Sequence, residues 1–237
     1  MKVAIITGVA QKSSKALADA LKNNGVHAEV FDVTKTARSV FDDFDSVFSY
    51  GTSKETRHKH RFNTPDAVRT CVSKPATFEA LKKAGCFTVP YVLHKEAVPK
   101  EWECIVVRED AGGRKAEGMH LIDQGDVIPN GELFTEYFFH KTEYRIMVFN
   151  GAIVARYEKV EGEHEGEVWH FFEDRPKKGF ELMDDHCLRA AKSLGIDYVG
   201  FDVVANTKKD FRILEANSAA RLEDEAENAI VEYYINL

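Results

Sequence analysis

The strongest constraint on this chain is a pair of apolar segments near its C-terminal end, Tyr198 to Ala205 and Phe211 to Ala216, each with a carboxylate in its interior. Asp202 and Glu215 occupy positions that acidic side chains rarely take without a partner. Lys208 and Lys209 between the segments read as the tip of a hairpin, and the resulting register sets Asp202 opposite Glu215 and Gly200 opposite Asn217. Facing like charges repel, so positive charge belongs between them. An all-oxygen set completed by the Asn217 amide suits magnesium rather than zinc, with Gly200 leaving room beside the amide. Arginine or lysine from elsewhere in the chain, or a solvent-facing edge, would also satisfy the repulsion.

A second hairpin is signalled by Asn150-Gly151 between YRIMVF and AIVARY, the preferred pair for a type I′ turn. An uninterrupted register places Arg145 opposite Arg156 and Glu143 opposite Glu158. The arginine pair calls either for an anion held between two guanidinium groups or for compensation by the neighbouring glutamates.

The first third alternates strand and helix. Lys2 to Thr7 predicts a buried strand, Ser13 or Ser14 a helix cap, and Gly25 the helix end; Ala28 to Val33 and Ser46 to Tyr50 predict further strands. Gly8 follows the first strand, but the sequence there lacks the GxGxxG spacing of a dinucleotide fold, so an NAD-linked reading has only Gly8 in its favour. From Thr64-Pro65 a helix begins that Lys74-Pro75 interrupts and Gly85 closes. Strands are expected at Cys104 to Arg108, Met119 to Asp123, Leu133 to Phe139, Tyr144 to Phe149 and Ala152 to Tyr157. A helix from Asp184 to Leu194 should end at Gly195, and a last one should carry Leu222, Ala226, Ala229, Ile230 and Tyr233 on one face. The acidic, glycine-containing stretch after Tyr157 reads as a mobile loop.

The formal charge of −7 and pI near 5.8 argue against a general nucleic-acid or membrane-surface partner. Four scattered cysteines form no CxxC pair, so reduced thiols are expected rather than a zinc site. With no signal-peptide pattern and no membrane-length apolar run, a cytoplasmic chain is expected. The densest basic run, Lys54 to Phe62, leaves the end of a predicted strand, where Arg57 could meet an acidic or peptide substrate; a solvated loop would look the same.

In order along the chain, SKPATFEALKKAGCFTVP, CIVVREDAGGRKAEGM, LFTEYFFHKTEYRI, GFDVV and ILEAN resemble the ATP-grasp family, which includes D-alanine:D-alanine ligase, glutathione synthetase and the ribosomal-protein glutamate ligases. The resemblance runs from about Asn63 to the C-terminus and implies an α/β ATP-grasp fold over 64–237, subdivided near 136–140, behind a small Rossmann-like domain over 1–63. By the same likeness Asp202, Glu215 and Asn217 would hold magnesium, or manganese in its place. Lys74, Arg108 and Gly113 would reach the phosphates of ATP, Glu136, Tyr137 and Phe138 the adenine, and Glu143 the ribose. Arg108 stands where most members have lysine, and SAARL follows Asn217 where relatives place proline or glycine.

The implied chemistry is an ATP-dependent carboxylate-amine ligation through an acylphosphate, with Arg145, Arg108 and Lys159 as catalytic cations and Arg57, Arg156 and Arg221 as candidates for substrate. His170 is a further candidate near the phosphates. Substrates would be small-molecule or peptide carboxylates and amines, and a homo-oligomer is compatible with the sequence. The rival reading is a non-catalytic ATP-binding module.

Overall fold

The computed structural model describes residues 1–237 except 9–11, 112–117, 165–166, 175–177 and 223, with backbone alone for the strand residues within 161–177. The N-terminal layer is a parallel sheet. Strands β1 (Lys2–Thr7), β2 (His27–Asp32), β3 (Ser46–Tyr50) and β4 (Arg61–Phe62) lie in the order β2-β1-β3-β4. Helix α1 (Lys12–Asn23) turns Leu17, Ala18 and Leu21 inward. It starts one residue ahead of Ser13, so neither serine is its cap. Ser14 is instead fully buried within the helix.

Asn63 closes this layer in the left-handed region (φ 58°), and its side chain is fully buried. The amide donates to the carbonyls of Ser49 (3.3 Å) and Tyr198 (2.9 Å) and accepts from the backbone N–H groups of Asp197 (3.1 Å) and Tyr198 (2.8 Å). One side chain thus joins the parallel sheet to a strand some 135 residues later.

Helix α2 (Pro65–Val72) begins on Thr64, and α3 (Lys74–Lys83) begins on Ser73, each through the hydroxyl-to-N–H bond of an N-cap. The Lys74-Pro75 break is therefore a second helix start, with Pro75 where its missing N–H costs nothing. A smaller antiparallel sheet follows, ordered β5-β8-β6-β7 and built from β5 (Tyr91–Val92), β6 (Cys104–Arg108), β7 (Met119–Asp123) and β8 (Leu133–Glu136).

The larger antiparallel sheet contains β9 (Thr142–Phe149), β10 (Ala152–His164) and β11 (Glu167–Asp174), then, beyond helix α4 (Glu181–Leu194), β12 (Tyr198–Thr207) and β13 (Asp210–Asn217), ordered β11-β10-β9-β12-β13. The stretch expected as a loop after Tyr157 is instead the outer half of β10 pairing with β11. The segment does not alternate apolar with polar residues, so no period announced a strand. Helix α5 (Asp224–Ile235) ends the fold, with Leu222 ahead of it rather than on its face.

One face of the larger sheet carries Ile146, Val148, Val199, Phe201, Val203 and Ile213 into a core with α2, α3 and α4. The opposite face carries Met147, Phe149, Tyr157 and Tyr198 into a core shared with β1, β3, α1 and α5. The four cysteines are free and buried. Among the described residues no helix is long and apolar enough to cross a membrane.

Candidate functional site

Register alone assembles the centre of the site. Asp202 faces Glu215 and Gly200 faces Asn217 across β12 and β13, as the hairpin reading requires. Asp202 also faces Arg145 on β9. The carboxylate accepts from Arg145 Nε at 2.8 Å and Nη2 at 3.1 Å, a bidentate pair, and from the Asn217 amide nitrogen at 2.9 Å. Lys74, at the first turn of α3 and buried, brings its ammonium to 3.7 Å from Glu215. Arginine and lysine from elsewhere in the chain therefore supply positive charge beside each carboxylate. Burial works against the charge on Arg145, but Asp202 outweighs it and holds the guanidinium above its usual pKa. At Arg108 burial wins over nearby Glu215 and lowers the pKa.

The second hairpin departs from the expected register. Asn150 (φ 48°) and Gly151 (φ 76°) make the left-handed turn, but a bulge between Ile153 and Ala155 shifts β10 by one residue. Arg145 then faces Tyr157, and Arg156 faces Ile146. A one-residue shift reverses the face of every later side chain, so the two arginines never meet. Arg156 instead donates to Asp184 on α4 at 2.6 to 3.2 Å, in a pair that is about nine-tenths buried. Nor does Glu143 face Glu158. Its cross-strand neighbour is Lys159, which donates to it at 2.7 Å, with His140 at 3.4 Å. Burial disfavours the Glu143 carboxylate, but Lys159 and His140 prevail and lower its pKa.

Beside the charged cluster, a cleft of about 400 Å³ opens between the two antiparallel sheets. Val106, Arg108, Met119, Leu121 and Glu136 line it from the smaller sheet, Val204, Leu214 and Glu215 from the larger, and Tyr137 and Phe138 from the connection between them. Leu214 and Glu215 both reach it because a bulge falls at Leu214. A larger hollow of about 780 Å³ lies behind the same connection, lined by Phe87, Phe139 and Arg212 among others, but neither Arg108 nor Glu215 borders it. The smaller cleft is the one that Glu215 of the charged cluster borders.

Of the residues singled out from sequence, Lys74, Arg145, Asp202, Glu215 and Asn217 form the charged cluster, while Arg108, Glu136, Tyr137 and Phe138 line the adjoining cleft. Arg57 and Arg221 are exposed on loops outside the cleft lining. Gly113 lies outside the described residues, as do the side chain of His170 and the rest of the loop 112–117. Three of the six basic residues in the run after β3 are committed to the fold. Lys54 donates to the Val33 carbonyl, His58 bonds the Phe44 carbonyl, and Arg61 donates to the carbonyls of Lys54, Thr52 and Asn63 and the hydroxyls of Thr56 and Ser49. His140 was not singled out. Neither was the bracket formed by Tyr50 and Tyr198, whose hydroxyls donate to the Ala220 carbonyl at 2.6 and 2.8 Å, and no local pattern announces such a long-range contact.

The metal set fits magnesium on its donor chemistry. Two carboxylates and an amide on one sheet face are hard oxygen donors, and they fall short of a full octahedron, as in sites where nucleotide phosphates and water complete the shell. Among the described residues no group of three His, Cys, Asp or Glu side chains could hold a metal unaided.

No family model and no curated protein matches the sequence. Solved structures match over almost the whole chain. The ATP-grasp ligase PsnB in complex with a minimal precursor aligns with a TM-score of 0.75 at 15% identity, covering 99% of this chain and 98% of that one. The macrocyclase MdnC from Microcystis aeruginosa MRC, bound to its precursor peptide MdnA, gives 0.69 at 14%, with both chains fully covered. D-alanine:D-alanine ligase from Bacillus anthracis gives 0.66 at 12%, covering 100% and 96%. The fold is that of the ATP-grasp ligases.

Proposed function

We propose that this ATP-grasp fold serves as an ATP- and Mg²⁺-dependent ligase that joins a carboxylate to an amine, with a peptide or protein terminus as the favoured substrate. The observation carrying this reading is the convergence of Lys74, Arg145, Asp202, Glu215 and Asn217 on one side of a cleft whose apolar walls suit a purine and whose edge bears Arg108. The precursor peptides bound to PsnB and MdnC support the choice of a peptide over a free amino acid.

In this scheme the adenine lies between Val106 and Leu214 against Glu136, Tyr137 and Phe138, and Glu143, fixed by Lys159 and His140, accepts from the ribose hydroxyls. Bound magnesium would neutralise phosphate charge and polarise the γ-phosphoryl group, held by Asp202, Glu215 and Asn217. Lys74, Arg108 and Arg145 screen the approach of one anion to another. A substrate carboxylate oxygen bonds to the γ-phosphorus as the bond to the ADP oxygen breaks, giving an acylphosphate. The amine nitrogen then bonds to the acyl carbon, inorganic phosphate departs and the amine loses a proton.

The test is incubation with ATP, Mg²⁺ and a peptide pool, scored by ADP formation and by mass spectrometry for a product lighter than its parts by one water. Glu215→Ala should lower turnover per folded molecule by about 10³-fold. Tight ATP binding without any ADP release across such pools would instead identify a non-catalytic binding module.

A further inference from the structure

We propose that Arg145 and Lys74 are built-in counter-ions for the metal-binding carboxylates, released to nucleotide phosphate when it binds, so that this site accepts a divalent cation only together with the nucleotide. The inference rests on the nucleotide-and-metal reading above and adds an order of assembly to it.

Both oxygens of Asp202 are already engaged. Arg145 donates to Oδ1 at 2.8 Å and to Oδ2 at 3.1 Å, and Asn217 donates to Oδ2 at 2.9 Å. A cation approaching Asp202 therefore meets a guanidinium that is itself largely buried, with 18% of its side chain exposed. Glu215 has Lys74 at 3.7 Å, an ammonium only 7% exposed, and also lies within the electrostatic reach of Arg108 and Arg145. Three cations thus surround two carboxylates. Their net charge is positive before any ligand arrives, so a bare dication enters against repulsion while a polyphosphate enters with attraction.

Phosphate oxygens offer guanidinium and ammonium groups acceptors as good as the carboxylates they leave. Once Arg145 turns to phosphate, the Asp202 oxygens are vacated for the cation, which then bridges carboxylate and phosphate. By thermodynamic reciprocity the nucleotide raises cation affinity by the same factor as the cation raises nucleotide affinity. Arg145 makes that factor large by penalising the cation in the nucleotide-free site.

The test is Mn²⁺ binding to the full chain, followed by the loss of the free-ion electron paramagnetic resonance signal, with and without saturating ADP. Wild type should bind Mn²⁺ on the order of tenfold or more tightly with ADP than without it. Arg145→Met should bind Mn²⁺ alone about tenfold more tightly than wild type, and ADP should add correspondingly less. Arg145→Lys, which keeps the charge but loses the fork, should fall between them and carries the comparison if the methionine variant does not fold. Equal nucleotide-free Mn²⁺ affinity in wild type and variant overturns the counter-ion role while leaving the nucleotide site intact. Absence of any ADP binding, with or without Mn²⁺, overturns the nucleotide reading itself.

Discussion

Arg145 and Arg156 show how one residue of register decides what a charged side chain is for. Both sit on neighbouring strands of the same sheet and both make bidentate contacts to an aspartate. Arg145 joins the charged cluster through Asp202, whereas Arg156, displaced to the other face by the bulge, fastens β10 to α4 through Asp184. Removing one partner of a buried pair strands the other charge. Arg156→Met is accordingly expected to destabilise the fold by about 3–5 kcal/mol, read from urea unfolding, while the folded fraction keeps its ADP affinity. A loss of ADP affinity at full stability would instead put Arg156 at the nucleotide. The bulge that separates these arginines was not legible, because an Asn-Gly turn fixes only the residues next to it and nothing in AIVARY marks Val154 as extra.

At the scale of elements, the hairpin of β12 and β13 was readable because its two apolar runs flank an unmistakable polar tip, and its two irregularities cancel between Asp202 and Thr207. The face it presents is graded. Tyr198 packs beneath the parallel sheet, Gly200 comes next, Asp202 holds Arg145, and Val204 borders the cleft. Gly200 is small for a reason beyond open space at Asn217. A Cβ there would stand 2.5 Å from the Ala220 methyl and 3.0 Å from the Met147 sulfur. Gly200→Ala should therefore cost about 1–3 kcal/mol by overpacking, and Ala220→Gly in the same chain should recover most of it. Differential scanning calorimetry of the single and double variants decides; an unchanged midpoint for Gly200→Ala alone would sink the account. The hairpin register placed the glycine opposite Asn217, but its steric partner lies in the SAARL segment, which no periodicity describes.

On the scale of the whole molecule, Asn63 and Asp197 connect the N-terminal layer to the larger sheet. The Asn63 backbone N–H donates to Asp197 at 3.0 Å, yet burial outweighs that bond and raises the Asp197 pKa. A carboxyl whose folded pKa is raised holds its proton better folded than unfolded. Its penalty on stability is absent below the unfolded value, near pH 4, and grows as pH climbs through the folded value. Asp197→Asn keeps an acceptor for Asn63 and removes the charge. Its melting temperature should exceed wild type by about 2 °C at pH 7 and match it near pH 3; a pH-independent difference would refute the assignment. The alternation of strand and helix before Asn63 and the change of pattern after it were visible in sequence, but the core shared across that point was not, since packing between distant segments leaves no local period.

The double bracket on Ala220 bears on how such a chain can be rebuilt. Tyr50 comes from the end of β3 and Tyr198 from the start of β12, and both hold the carbonyl three residues beyond Asn217, while Gly51 lies where any Cβ would strike Ala219 at 2.5 Å. A chimaera that swaps the first sixty-odd residues for those of another protein of this fold would cut through this contact. To preserve the turn after Asn217, the graft must travel as a matched kit: Tyr50 and Gly51 from one side of the splice, with Tyr198, Gly200, Ala219 and Ala220 from the other.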